Sequence, residues 1–237
     1  MSSEVSVQGG DCITEVAGER LTLMPERAAY WERTRTLLVA DPHWGKAATF
    51  RASAIPVPRG TTTAGLARLD HAIARTSAHR VVFLGDYLHA RDGRAPETLR
   101  ALADWRAANR ALDVVLVRGN HDRHAGDPPA EAGVRCLDAP VRDAPFVLAH
   151  HPGTSAEGYV LCGHLHPGAP LVGRGRMRER LPCFWFGRAC GVLPAFGDFT
   201  GLADVTPEPG DRVYAVAGAE IVQVSIGFSN EERPAGG

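Results

Sequence analysis

Five short apolar runs in this chain stop abruptly at clusters of Asp, His and Asn. TLLVA (36–40) ends at Asp41-Pro42-His43, and RVVFL (80–84) ends at Gly85-Asp86. DVVLV (113–117) leads through Arg118 to Gly119-Asn120-His121-Asp122. FVLA (146–149) ends at His150-His151, and YVLC (159–162) at Gly163-His164-Leu165-His166. Imidazole and carboxylate are donors that suit Mn, Fe, Zn or Ni. D-x-H and H-x-H on extended backbone place alternate side chains on one side, and a carboxylate can bridge two cations. A cation pair about 3.5–4 Å apart clamps a phosphoryl group and lowers the pKa of bound water from about 15.7 to about 7. That is the chemistry of phosphoester hydrolysis at neutral pH. A lone His or Asp at a strand end reads more simply as a cap or a surface group; the joint pattern is what points to metal.

Convergence requires elements that bring residues 41 to 166 together. The five runs read as buried strands. Between them, 61–77 reads as a helix with Leu66, Leu69 and Ile73 on one face and Thr61–Thr63 offering N-cap hydroxyls. A second helix over 96–109 has Pro96 in its first turn and Leu99, Leu102 and Trp105 along one side. Residues 41–60 read as a loop or flap, because Pro56 and Pro58 forbid a regular helix. After 170 the helical pattern gives way to LPCFWF (181–186), VLPAF (192–196), RVYAVA (212–217) and IVQVSI (221–226), the last two forming a hairpin. Alternating strand and helix followed by strands predicts an α/β fold, with a largely parallel sheet extended by antiparallel strands. In open α/β sheets, sites lie beyond the carboxyl ends of the strands, where all five clusters fall. No repeat or linker divides the chain, so a single domain over 1–237 is expected, with a frayed polar tail from 229.

Composition sets limits. The 237 residues are 44% hydrophobic and 22% charged, ordinary for a chain with a core, which excludes collagen, coiled coil and wholesale disorder. A net charge of −1 excludes binding nucleic acid by bulk electrostatics alone, so any such contact must be local. One lysine, Lys46, stands against 25 arginines. They are spread along the whole chain, which reads as codon bias more readily than as phosphate recognition. Five cysteines without a CxxC pair suggest free thiols in a reducing compartment. The first residues carry no secretory signal, and no run approaches the ~20 apolar residues of a membrane span. A cytoplasmic protein is expected.

The ordered blocks D-x-H, GD, GNH[DE], H and GHxH resemble the calcineurin-like metallophosphoesterase superfamily. By position, that resemblance implies Asp41, His43 and His166 as ligands of one metal. Asn120, His150 and His164 are implied for a second, with Asp86 bridging and His121 as a general acid beside the phosphate. Asp122 would orient the His121 ring, and His151 is the alternative to His150. A narrower resemblance covers nearly the whole chain through VADPHWGKAATFRASAIPVPRGTT, VVFLGDYLHAR, VVLVRGNHDRHAG, GHLHPG, RLPCFWF and GVLPAFGDFTG. These strings resemble the ligase-associated DNA damage response endonuclease family, PdeM. That resemblance implies a four-layer αββα sandwich, Mn-supported cleavage of DNA phosphodiesters, and a setting beside a DNA ligase and a helicase in bacterial repair. GDYLHAR also resembles the protein phosphatase string GDYVDRG, but His89 replaces its second Asp and Arg91 lies one position later. Candidate substrate contacts are His89, Arg91, Lys46, Arg118 and Arg176. Arg174, Arg178 and Arg180 share a face with Arg176 in an extended hairpin, and Arg51 and Arg59 flank the Pro-rich segment. Trp44 is a candidate for base stacking. Two rival readings are the same chemistry on a small phosphoester and a non-catalytic repair scaffold.

Overall fold

The computed structural model describes residues 10–58, 60–172 and 178–224. The first sheet has seven strands in sequential order: β1 (Cys12–Val16), β2 (Glu19–Met24), β3 (Ala28–Trp31), β4 (Thr36–Ala40), β5 (Arg80–Leu84), β6 (Asp113–Val117) and β7 (Arg135–Leu137). β1 to β4 form an antiparallel meander, and β4 to β7 are parallel. The second sheet contains β8 (Val141–Asp143), β9 (Phe146–Leu148), β10 (Tyr159–Cys162), β11 (Pro167–Val172), β12 (Arg178–Phe186), β13 (Cys190–Val192), β14 (Ala203–Asp204), β15 (Arg212–Ala217) and β16 (Glu220–Val224). There β10 runs parallel to both β9 and β13, while β12 pairs antiparallel with β11, β13 and β15. The fold is mixed α/β with two mixed sheets and few helices.

The apolar runs are continuous because the central strands are buried on both faces. Leu38, Val82, Leu84, Val115 and Val117 point between the sheets, where they meet Phe146, Leu148, Leu161, Phe184 and Phe186. Leu37, Val39, Val81, Phe83 and Leu116 point outward and are covered by Leu66 and Leu69 of α2 (Thr61–Thr76) and by Leu102 and Trp105 of α3 (Pro96–Ala108). The same alternation on the second sheet sends Val147, Val160, Cys162 and Val192 outward. Among the described residues no helix follows Ala132. Helical cover, implied on both outer faces, is therefore seen over the first sheet only.

Three local expectations are corrected. Residues 46–52 form a short helix, α1, because the proline break lies downstream and Gly45 (φ 79°) supplies the left-handed start. Gly60 (φ 83°), not a threonine hydroxyl, caps α2. VLPAF is strand only to Val192; Pro194 has no N–H to continue a ladder, and Ala195 instead makes a single bridge to Ala40 of the first sheet.

Candidate metal centre

The parallel strands β4, β5 and β6, together with β9 and β10, end at one rim. Their sudden change from apolar to polar residues places the five clusters in one cradle. One group of donors is Asp41, His43 and His166; a second is Asp41, Asp86 and His150; a third is His150, His151 and His164. Within each group, donor atoms lie within 4.8 Å of one another. The Asn120 Oδ1 atom is 2.8 Å from His150 Nε2. The structure thus brings together Asp41, His43, Asp86, Asn120, His150, His164 and His166.

The backbone around these residues is strained. Asp41, His43, Asp86, His164 and His166 all have positive φ, between 47° and 71°. Non-glycine residues adopt this region rarely, and such outliers concentrate at functional sites. Strand geometry alternates side chains, and the kinks that follow β4, β5 and β10 turn their donors into a common cradle.

Hydrogen bonds fix the donors further. His150 is fully buried, and its Nδ1–H donates to the Leu84 carbonyl (3.1 Å). Its Nε2 lone pair therefore faces Asn120 Oδ1, His164 Nδ1 (3.1 Å) and Asp86 Oδ1 (3.4 Å). His43 Nε2 lies 3.3 Å from His166 Nε2 and 3.9 Å from Asp86 Oδ2. Asp41 Oδ2 accepts from the His164 N–H (2.7 Å), but its Oδ1, fully buried, has no hydrogen-bond partner. A buried carboxylate oxygen with no donor is costly unless a cation completes it. The converging lone pairs and this orphaned oxygen fit divalent cations.

The pKa shifts report the same crowding. Burial, followed by the nearby Asp86 charge, drives Asp41 well above the usual carboxylate range. Burial pushes His150 down to about 4 and lowers His43 strongly, with Lys46 and neighbouring imidazoles adding to the effect on His43. Neutral imidazoles are the ligating form.

His121 Nδ1–H donates to the His89 carbonyl (2.6 Å), leaving Nε2 toward the cradle, 3.9 Å from Asp86 Oδ2. The His89 ring stacks on His121, with centroids 5.2 Å apart. Asp122 does not orient His121. Its buried carboxylate accepts the N–H groups of Gly119 and Asp86 (both 2.8 Å) and Tyr87 (2.9 Å), so it ties the β5 and β6 ends together. Lys46 begins α1, half-buried, and feels the Asp86 charge.

Other candidates have other partners. Arg118 is held by Asp127 (2.7 Å) and Asp138 (2.9 Å), which occupy three of the five guanidinium N–H donors. Arg91 donates to the His124 carbonyl (3.1 Å) beside the helix α4 (Asn120–Ala125). Arg51 pairs with Glu97 at 3.3 Å, and Arg180 pairs with Asp204 at 2.8 Å. Arg59, Arg174 and Arg176 lie outside the described residues. Trp44 is not a stacking surface: it is 3% exposed and packs against Tyr87 and Phe196. His151, exposed, lies 4.2 Å from His164, ring to ring.

Sequence reasoning missed the loop 196–203, which runs along Asp41 and His166. The string GVLPAFGDFTG was its visible trace, but it contains no metal-binding pattern.

No curated protein matches this chain. Among solved structures, nuclease MPE of Pseudomonas putida is 43% identical, with a TM-score of 0.80 over 90% of this chain and 100% of that one. Two others are 15% identical. AQ665 of Aquifex aeolicus, a protein of unknown function, aligns over 55% of this chain and 78% of its own, with a TM-score of 0.36. Yfce, a phosphoesterase from E. coli, aligns over 81% and 99%, with a TM-score of 0.38. At those scores neither bears on this chain. The calcineurin-like phosphoesterase model matches residues 34–167, the stretch that carries every donor described above. The chain therefore belongs to the calcineurin-like phosphoesterase family and is a hydrolase of phosphoester bonds.

Proposed function

We propose that this protein is a dinuclear metal nuclease that hydrolyses DNA phosphodiesters, with Mn as the working cation. The observation that carries this reading is the similarity to a nuclease at 43% identity over 90% of the chain, joined to the His and Asp donor cradle. Asp41, His43 and His166 would hold one cation. Asn120, His150 and His164 would hold the other, and Asp86 would be shared, its oxygens lying near His43 and His150. Bound divalent cations supply charge neutralisation at the phosphate and a water acidified toward a pKa of about 7.

The remaining chemistry belongs to the chain. His121, anchored through Nδ1–H, presents Nε2, which takes up a proton and delivers it to the departing sugar oxygen. His89 holds that ring in place through its carbonyl and by stacking. Lys46 adds positive charge where the phosphate oxygens dock. The narrower family resemblance supports a setting in cytoplasmic DNA repair beside a ligase and a helicase.

Nicking of supercoiled circular DNA tests the reading. Manganese-loaded protein is expected to relax and linearise the plasmid, and His121→Ala to lose that activity while still binding metal. Turnover of small chromogenic mono- and diesters with no DNA cleavage overturns it.

A further inference from the structure

The loop 196–203 is built against the first donor group. At one end, the Phe196 N–H donates to the Ala40 carbonyl (2.8 Å) and the Gly197 N–H to the Asp41 carbonyl (3.1 Å). At the other end, the Ala203 N–H donates to the His166 carbonyl (3.0 Å). A Cβ at Gly197 would stand 2.5 Å from the Pro42 carbonyl oxygen, so this approach needs glycine. Two arginines hold the loop from behind. Arg68 donates to the Phe196 carbonyl and pairs with Asp198 at 3.3 Å; Arg27 pairs with the same carboxylate at 3.6 Å.

Phe199 sits between these anchors at φ 60°. For a bulky side chain this conformation is imposed by its surroundings. The residue is nonetheless 48% exposed, whereas Phe83, Phe146, Phe184, Phe186 and Phe196 are at most 1% exposed. It lines a cavity together with His43, Trp44 and Lys46. Single exposed apolar residues are common and usually mean nothing. A strained, anchored aromatic between the tethers to two metal-ligand candidates is a different case. A rigid exposed ring beside a phosphate site can stack any base through its π face.

We infer that Phe199 is the stacking platform for the nucleobase next to the scissile phosphate. The substrate is then a nucleic-acid strand that presents an unpaired base there. The inference rests on the nuclease reading above and adds a specificity element to it.

The test uses the manganese-loaded full chain and a single-stranded oligonucleotide. Phe199→Leu is expected to raise KM by about 5-fold or more, with kcat little changed, while Phe199→Tyr stays near wild type. The difference between Leu and Phe should vanish on a strand abasic at that position. In a His121→Ala background, 2-aminopurine at that position is expected to be quenched on binding, and Phe199→Leu to abolish the quenching. An unchanged KM for Phe199→Leu on a strand that the wild type cuts overturns this inference alone. An equal KM rise on intact and abasic strands overturns it too, since the loop would then act only structurally. A wild type that neither binds nor cuts the oligonucleotide overturns the nuclease reading, and this inference with it.

Discussion

Asp86 carries the heaviest geometric demand at the site. One of its oxygens accepts the His121 N–H (2.9 Å) and lies 3.4 Å from His150 Nε2, while the other faces His43 Nε2. Its backbone is also held in the left-handed region. Asp86→Asn keeps the shape but removes the charge that two cations would share. It is expected to lower kcat/KM by more than about 100-fold, since even outer-shell changes cost roughly 10–100-fold. Elemental analysis after gel filtration should show fewer than the wild-type metal equivalents. His89 makes a different prediction. Burial first, and the Lys46 charge second, push its pKa down to about 4 from an unfolded value of about 6.5. The unfolded chain therefore binds more protons between those values, and stability contributed through His89 is full above about pH 6.5 and falls as pH drops toward 4. In metal-free protein, the Tm advantage of wild type over His89→Asn should shrink across that window. A constant gap would contradict the burial described here.

At the scale of elements, the glycines of the motif blocks have a physical task. A Cβ at Gly85 would lie 2.0 Å from His150 Nδ1, one at Gly119 2.3 Å from Asp86 Oδ1, and one at Gly163 2.3 Å from Asp41 Oδ2. Each glycine at a strand end makes room for a donor from another strand. Gly119 is the cleanest case because its φ of −98° is open to any residue, so only the steric conflict is tested. Gly119→Ala is expected to cost about 1–3 kcal/mol by overpacking and to weaken metal binding. Gly153→Ala, with open space around its Cβ, should be neutral in denaturant titration. The sequence made β4, β5 and β6 legible because burial on both faces turns them into unbroken apolar runs. It hid α1, whose KAATFRA has no apolar stripe and starts from a left-handed glycine rather than a polar cap. It also hid the partners of Arg118 and Asp122. Both stand at a motif, but Asp127 and Asp138 in one case, and backbone amides of two strand ends in the other, are recognisable only once the chain is folded. The cradle itself was legible because its donors were tied to visible strand ends; the 196–203 loop was not, because backbone hydrogen bonds place it.

For the whole molecule, the decisive fact is that the donors come from both sheets. Asp41, Asp86 and Asn120 follow β4, β5 and β6, whereas His150, His164 and His166 follow β9 and β10. The sheets meet through an apolar layer that includes Trp31, Phe146 and Phe184, but at the rim this layer gives way to buried carboxylates and imidazoles. Without cations, that rim is destabilising: Asp41 and Asp86 repel each other, and the Asp41 Oδ1 atom has no hydrogen-bond partner. Cations bound there would reverse the sign of the electrostatics and cross-link the sheets. Any ligand that binds only the folded state stabilises it by RT ln(1 + [L]/Kd), about 2.7 kcal/mol at 100 times Kd. Chelation is therefore expected to lower Tm by several degrees, and readdition of manganese to restore it. Hydrogen exchange should locate the change. Amides at the ends of β4, β5 and β10 should lose protection on chelation, while those of β2 and β15, distant from the donors in the strand order, should keep theirs. Uniform loss across both sheets would mean that the cations act on global stability rather than as a staple at one rim.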